Sequence, residues 1–294
     1  MIFSWYVSAL FTIFFWGVAD LYYKKGTDPD DQLSHLKIVV MVGLVMGLQA
    51  FFELGKANWQ FDLINIVKYL PVSFMYILSM TLGYVGLRYL AVSINSPVSN
   101  TSGAMAGILA FLVLGKTMNG MQLMAVIFIT LGLIGISLIE RRLGEEEGNA
   151  QHKLGALALI FPLLYAVVDA LGTFLDDVYL SKLMTPEEAL ISYELTFLFC
   201  GIIAFLYIVF VKKERFNVLR ERDKGLAAIF ETAGQFFYVY ALDTNSVVVA
   251  PMIASYSIVS VIMGRIVLKE KLNYQQYVAI AIVMLGIFIL GFYE

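Results

Sequence analysis

Asp20 and Asp169 each sit in a long apolar stretch with an aromatic residue four positions before them: Trp16 precedes Asp20 and Tyr165 precedes Asp169. Residues four apart share one face of a helix, so each carboxylate would stand beside a ring. That pairing suits an ammonium group, held by opposite charge and by a cation-π contact worth ~0.5–2 kcal/mol. A proton and a cationic solute would compete for the same carboxylate oxygen. Placing a charge at the centre of a membrane helix costs about 2.5–3.5 kcal/mol, so a matched pair of buried acids needs a use.

Two further acids, Glu194 and Glu231, also fall inside apolar stretches. Polar groups at hydrocarbon depth must face a bundle interior or a wet cavity. The expected topology puts Asp20 with Glu231 in one half of the membrane and Asp169 with Glu194 in the other, one acidic pair on each side of the centre. For Asp20 and Glu231 the competing reading is an interfacial carboxylate near a helix end.

Small polar residues cluster at Ser96, Ser99, Asn100, Thr101 and Ser102, and again at Ser255, Tyr256, Ser257 and Ser260. Such residues commonly let membrane helices approach and hydrogen-bond. Asn100 and Tyr256 are too large for that role alone and are expected to reach a cavity, as is Tyr238. The candidate substrate-binding set is therefore Trp16, Asp20, Asn100, Tyr165, Asp169, Glu194, Glu231, Tyr238 and Tyr256. Strong anions would call for Arg or Lys deep in the apolar stretches. None is mid-stretch, and Arg88 and Arg265 stand near segment ends, where snorkelling is the default. No cofactor or metal is expected: Cys200 is the one cysteine, and His35 and His152 lie at segment edges without metal spacing.

The elements that carry these residues are set by composition. The chain has 294 residues, 60% hydrophobic and 15% charged, with a mean hydropathy of +0.80, far from the balance of a soluble domain. Ten apolar stretches recur, near 3–23, 35–52, 69–87, 93–114, 121–139, 154–174, 189–211, 225–242, 247–268 and 274–292. At 1.5 Å per residue each can cross about 30 Å of hydrocarbon. The longest connections, 140–153 and 212–224, leave no room for a soluble domain. The first stretch lacks a basic n-region, so a cleaved signal peptide is not expected.

Lys and Arg are placed unevenly. Sixteen of the 20 fall in connections after odd-numbered stretches, and only Lys56, Lys68, Lys116 and Lys182 fall on the other side. The positive-inside rule then makes the odd-numbered loops cytoplasmic and puts both termini outside, in a multi-pass protein of the cell membrane.

The chain also reads as one unit twice. A shift of 154 residues sets Pro97 on Pro251, Asn119 on Asn273, Gln122 on Gln276 and Gly132 on Gly286, and a shift of 149 sets Val18-Ala19-Asp20 on Val167-Val168-Asp169. Five stretches per half is an odd number, so the second half enters the membrane inverted, as in many secondary transporters. The expected fold is all-α integral membrane, ten transmembrane helices in an inverted 5+5 repeat. Residues 1–143 form the first repeat, 144–153 a cytoplasmic linker and 154–294 the second repeat.

The run Asn245-Ser246-Val247-Val248-Val249-Ala250-Pro251, the turn Leu268-Lys269-Glu270-Lys271-Leu272-Asn273 and the opening Phe15-Trp16-Gly17 resemble the drug/metabolite transporter superfamily in its ten-helix EamA-type branch. The first-half turn departs from that pattern: Leu114-Gly115-Lys116-Thr117-Met118 has Lys116 where the acidic residue would stand. The resemblance implies a transporter of amino acids, nucleosides, quaternary amines or other small metabolites.

Residue chemistry and resemblance together predict a secondary carrier of a small organic cation or zwitterion, working by alternating access, with protons as the candidate coupling ion. An exporter of neutral amino acids or related metabolites is the alternative within transport. An integral-membrane lipid-modifying enzyme is the alternative of another class, but HExxH, a Gly-rich phosphate cradle and a basic headgroup cluster are all missing. The expected partners are the lipid bilayer and a small-molecule substrate, with no nucleic acid, in a monomer or homodimer.

Overall fold

The computed structural model describes residues 4–28, 30–90, 92–146, 158, 160–243, 246–267, 269 and 274–292. Within them the chain is helical: α1 (Trp5–Gly26), α2 (Ser34–Lys56), α3 (Ile64–Tyr89), α4 (Val92–Ser99), α5 (Thr101–Leu114), α6 (Gly120–Glu146), α7 (Ile160–Lys182), α8 (Pro186–Leu206), α9 (Arg222–Leu242), α10 (Ser246–Ala254), α11 (Tyr256–Val267) and α12 (Tyr274–Phe292). Most of the 144–153 linker, residue Asn245, and the turn at Leu268 and 270–273 lie outside the described residues.

Local sequence sets the boundaries. Ser4 caps α1, its hydroxyl accepting from the Val7 N–H. Thr185 and Glu188 form a capping box on α8, with Pro186 in the first turn, where its missing N–H costs nothing. Gly115 ends α5 in the left-handed conformation at φ 64°, which glycine adopts without a Cβ penalty. Helix α8 runs on into a π turn over Tyr207–Val211.

Two expected continuous stretches are broken. The fourth, 93–114, divides at Asn100 into α4 and α5, and the ninth, 247–268, divides at Ser255 into α10 and α11. In sequence a proline stands three or four residues before each break, Pro97 and Pro251. Apolar composition reports length at membrane depth and is blind to such a break. The sixth stretch was expected at 154–174, but α7 runs to Lys182; helix continues through Asp176 and Asp177 because their side chains find buried partners.

Among the described residues, five helical spans are long and apolar enough to cross a membrane by length and composition: Trp5–Gly26, Ser34–Lys56, Ile64–Tyr89, Pro186–Val211 and Ser246–Val267. Contacts between helix ends sort them onto two faces. On one, here the Lys182 face, Asn65 at the start of α3 donates to Glu188 of α8 and Tyr240 near the end of α9 donates to Glu187. On the opposite, Lys24 face, the Lys24 ammonium donates to the carbonyls of Leu87 and Leu90, and Lys37 bridges to Glu214.

Packing follows the repeat. α1 lies against α9 and α3 against α7, while α2 pairs with α8 and α6 with α12. The α6–α12 crossing is reciprocal. A Cβ on Gly132 would lie 3.1 Å from the Ala279 carbonyl oxygen, and one on Gly286 would lie 2.8 Å from that of Ala125. Each residue of the first contact is the 154-residue counterpart of one in the second. Large apolar side chains such as Leu112, Phe199, Phe210 and Phe288 remain on the outside, as expected where the surrounding solvent is hydrocarbon.

Candidate functional site

The broken helices and the acid-bearing helices α1, α7 and α9 enclose a cavity, with α3 and α8 completing its wall. Asp20 of α1, Asp169 of α7 and Glu231 of α9 all line it. Among the described residues, no Lys, Arg or His does.

Serine hydroxyls hold two of the acids. The Asp20 Oδ2 accepts from Ser96 Oγ of α4 at 2.5 Å and from Ser260 Oγ of α11 at 2.8 Å. Asn100 Nδ2 donates in turn to Ser96 Oγ at 3.2 Å. Asp20 is thus fixed by one hydroxyl from each broken pair, which explains the polar residues beside both breaks. Asp169 Oδ1 accepts from Ser79 Oγ of α3 at 3.3 Å.

Rings form the walls. The Trp16 centroid lies 5.0 Å from Tyr238 and 5.6 Å from Tyr256, distances typical of tilted and edge-on aromatic pairs. Tyr165 and Tyr193 also line the cavity. The i, i+4 pairs Trp16/Asp20 and Tyr165/Asp169 therefore both present a ring and a carboxylate to one space. The site thus gathers three carboxyl groups and a wall of π faces in one space.

Eight of the nine predicted site residues, Trp16, Asp20, Asn100, Tyr165, Asp169, Glu231, Tyr238 and Tyr256, line this cavity. Glu194 does not. It is fully buried with neither carboxylate oxygen hydrogen-bonded, and it feels the charge of Glu53 of α2. The reason is azimuth: successive helix residues point about 100° apart, and Tyr193 takes the direction of the cavity. The expected division into two acidic pairs is corrected with it, since Asp20, Glu231 and Asp169 share one chamber.

Four residues of consequence were not singled out from sequence. Tyr76 and Thr173 line the cavity. Asp176, seven residues after Asp169 and so on the same helix face, accepts from the Tyr69 hydroxyl at Oδ1 and from Tyr76 at Oδ2 (3.1 Å). Asp177 accepts from Lys116 Nζ at 2.5 Å and from Ser246 Oγ at 2.6 Å. The i+7 spacing was a usable signal, hidden because the sixth stretch was ended at Phe174.

Comparison with known proteins agrees with this architecture. The model of the EamA-like transporter family matches twice, over residues 3–138 and 156–292. No curated protein matches the chain. A solved crystal structure of a protein 12% identical in sequence superposes with a TM-score of 0.67, covering 98% of this chain and 96% of that chain, a likeness of fold alone. Two copies of the family unit, apolar helices and an internal cavity mark a multi-pass membrane transporter of the drug/metabolite superfamily, acting on a small molecule within a lipid bilayer. The chain belongs to the EamA-like transporter family.

Proposed function

We propose that this transporter is a secondary-active carrier of a small organic cation or zwitterion and that it works by alternating access about the acidic cavity. The observation that carries the reading is the meeting of Asp20, Asp169 and Glu231 in one ring-walled space with no basic side chain in its described lining. A cation entering there exchanges its hydration for carboxylates and π faces, whereas an anion would meet only repulsion. Protons are the proposed coupling ion, since a carboxylate released by its cation can take up a proton at the same oxygen.

The reading includes an inverted 5+5 arrangement of ten membrane crossings, with α4/α5 and α10/α11 each counted as one broken crossing. Repeat boundaries at 1–143 and 154–294 are proposed with it. Reciprocal α6–α12 contacts and the twofold family match support it. Discontinuous helices beside the site are a recurring feature of such carriers. The Lys24 face, richer in Lys and Arg, is assigned to the cytoplasm of the cell, with both termini on the other side.

The direct test is a thermal-shift panel on purified protein. Tetramethylammonium, choline and ethanolamine should raise the unfolding temperature in proportion to binding, and matched anions such as acetate and phosphate should not. Asp169→Asn should fold normally and lose the response. Stabilisation by the anions alone would overturn the assignment of substrate charge.

A further inference from the structure

We propose that the consecutive acids Asp176 and Asp177 close the Lys182 end of the cavity as a two-layer lock, whose opening admits or releases substrate on that face. The inference rests on the carrier reading above and adds to it the residues that block one route.

The two layers follow one another along α7. Asp169 and Thr173 face the cavity, and Asp176 begins one turn further toward Lys182, 0% exposed. In the inner layer both Asp176 oxygens are occupied, one by the Tyr69 hydroxyl and the other by that of Tyr76. The Tyr76 oxygen lies 2.6 Å from that of Tyr238, and both tyrosines approach the Thr173 hydroxyl, at 3.3 and 3.4 Å. Since Tyr76, Tyr238 and Thr173 line the cavity, this network of α3, α7 and α9 is its floor.

The outer layer hangs on Asp177, 1% exposed. Lys116, from the turn after α5, and Ser246, at the start of α10, each hold one of its oxygens. Asp243, which caps the end of α9, also feels the charge of Lys116. The second layer thus ties the end of α5 and the start of α10 to α7. Asp177 is the dry partner of this ion pair, so removal of the lysine leaves the aspartate to carry its desolvation alone.

The repeat supplies a separate reason to see a lock here. Lys116 is the 154-residue counterpart of Glu270 and is the position where the first half departs from the acidic turn of the second. The structure accounts for the departure, because at that position the lysine meets Asp177. At the Lys24 face the corresponding end of the cavity is closed by different chemistry, the Tyr84 hydroxyl donating to that of Tyr23 (3.2 Å) and Lys24 donating to backbone carbonyls.

The test needs no substrate. In a Cys200→Ser background, Ile253→Cys places a reporter thiol in the cavity wall, and a membrane-impermeant maleimide is applied to right-side-out and inverted vesicles holding the full chain. Lys116→Met and Asp177→Asn should each raise the labelling rate from the Lys182 face by about tenfold or more, the scale of a two-state shift when one discrete restraint is lost. Exchanging the charges (Lys116→Asp with Asp177→Lys) should return the rate toward the parent. Unchanged labelling in the folded single variants, or fast labelling in the exchanged pair, overturns the lock. Should the charge variants fail to fold, Tyr76→Phe with Tyr238→Phe removes only hydroxyls and must also speed labelling from that face; no change overturns the proposal. A rise at the Lys182 face without a fall at the Lys24 face would uphold the lock while removing alternating access from the carrier reading.

Discussion

The indole N–H of Trp16 donates to the backbone carbonyl of Glu231 at 3.2 Å, joining α1 to α9 at the level of the cavity. The bond fixes the ring edge-first against one helix, leaving its faces to Tyr238 and the cavity. Trp16→Phe keeps an aromatic face but loses the donor, which should cost about 0.5–1.5 kcal/mol of stability and weaken tetramethylammonium binding only modestly. Trp16→Ala should abolish most of that binding. Thermal unfolding and ligand titration read the two effects separately, and equal binding losses in both variants would assign the effect to the indole N–H and not to the ring face.

Glu194 is a buried carboxylate without a hydrogen-bond partner, and it stands apart from the cavity. An unpaired buried charge or acid is a standing cost, and an apolar group of similar shape can remove it. Glu194→Met should therefore raise the unfolding temperature and leave the response to tetramethylammonium intact. The same substitution at Asp20 or Glu231 should remove the response. Loss of ligand binding in Glu194→Met would return this residue to the binding set.

Gly103, beside the α4/α5 break, packs where a Cβ would lie 2.5 Å from Ala254 Cβ and 2.6 Å from the Ala250 carbonyl oxygen. Part of that obstacle is backbone and cannot rotate away. Gly103→Ala should destabilise by about 1–3 kcal/mol through overpacking. Gly120→Ala, where nothing lies within 4 Å, is the control and should be near neutral. Comparable unfolding temperatures for the two would show that α5 and α10 can separate freely.

Asp31, in the connection between α1 and α2, contributes to the acid-side pH dependence of the Lys24 face. Burial pushes its carboxyl up, but the bonds from Lys37 and from the Leu33 N–H outweigh burial and hold it below its ordinary value of 3.8. A lowered folded-state value means that the stabilisation is present above the unfolded value and is lost as pH falls through the folded one. Asp31→Asn should therefore lower the unfolding temperature slightly at neutral pH and flatten its acid-side fall below about pH 4. A variant curve parallel to the parent's down to that range would remove Asp31 from the account.

Composition and periodicity by themselves determined that this chain lives in a bilayer, that its unit is doubled, and that Asp20 and Asp169 each carry a ring on the same helix face. Those properties are local or additive: transfer cost depends on residue type, and the i, i+4 relation depends only on helix pitch. Helix azimuth and continuity are set by neighbours, so only the tertiary structure decided that Glu231 joins the two aspartates while Glu194 turns toward α2, and that the fourth and ninth stretches break at Asn100 and Ser255. Asp176 and Asp177 show the same division. They look like the start of a loop until Tyr69, Tyr76, Lys116 and Ser246, residues far away in the chain, supply the partners that make it possible to bury them.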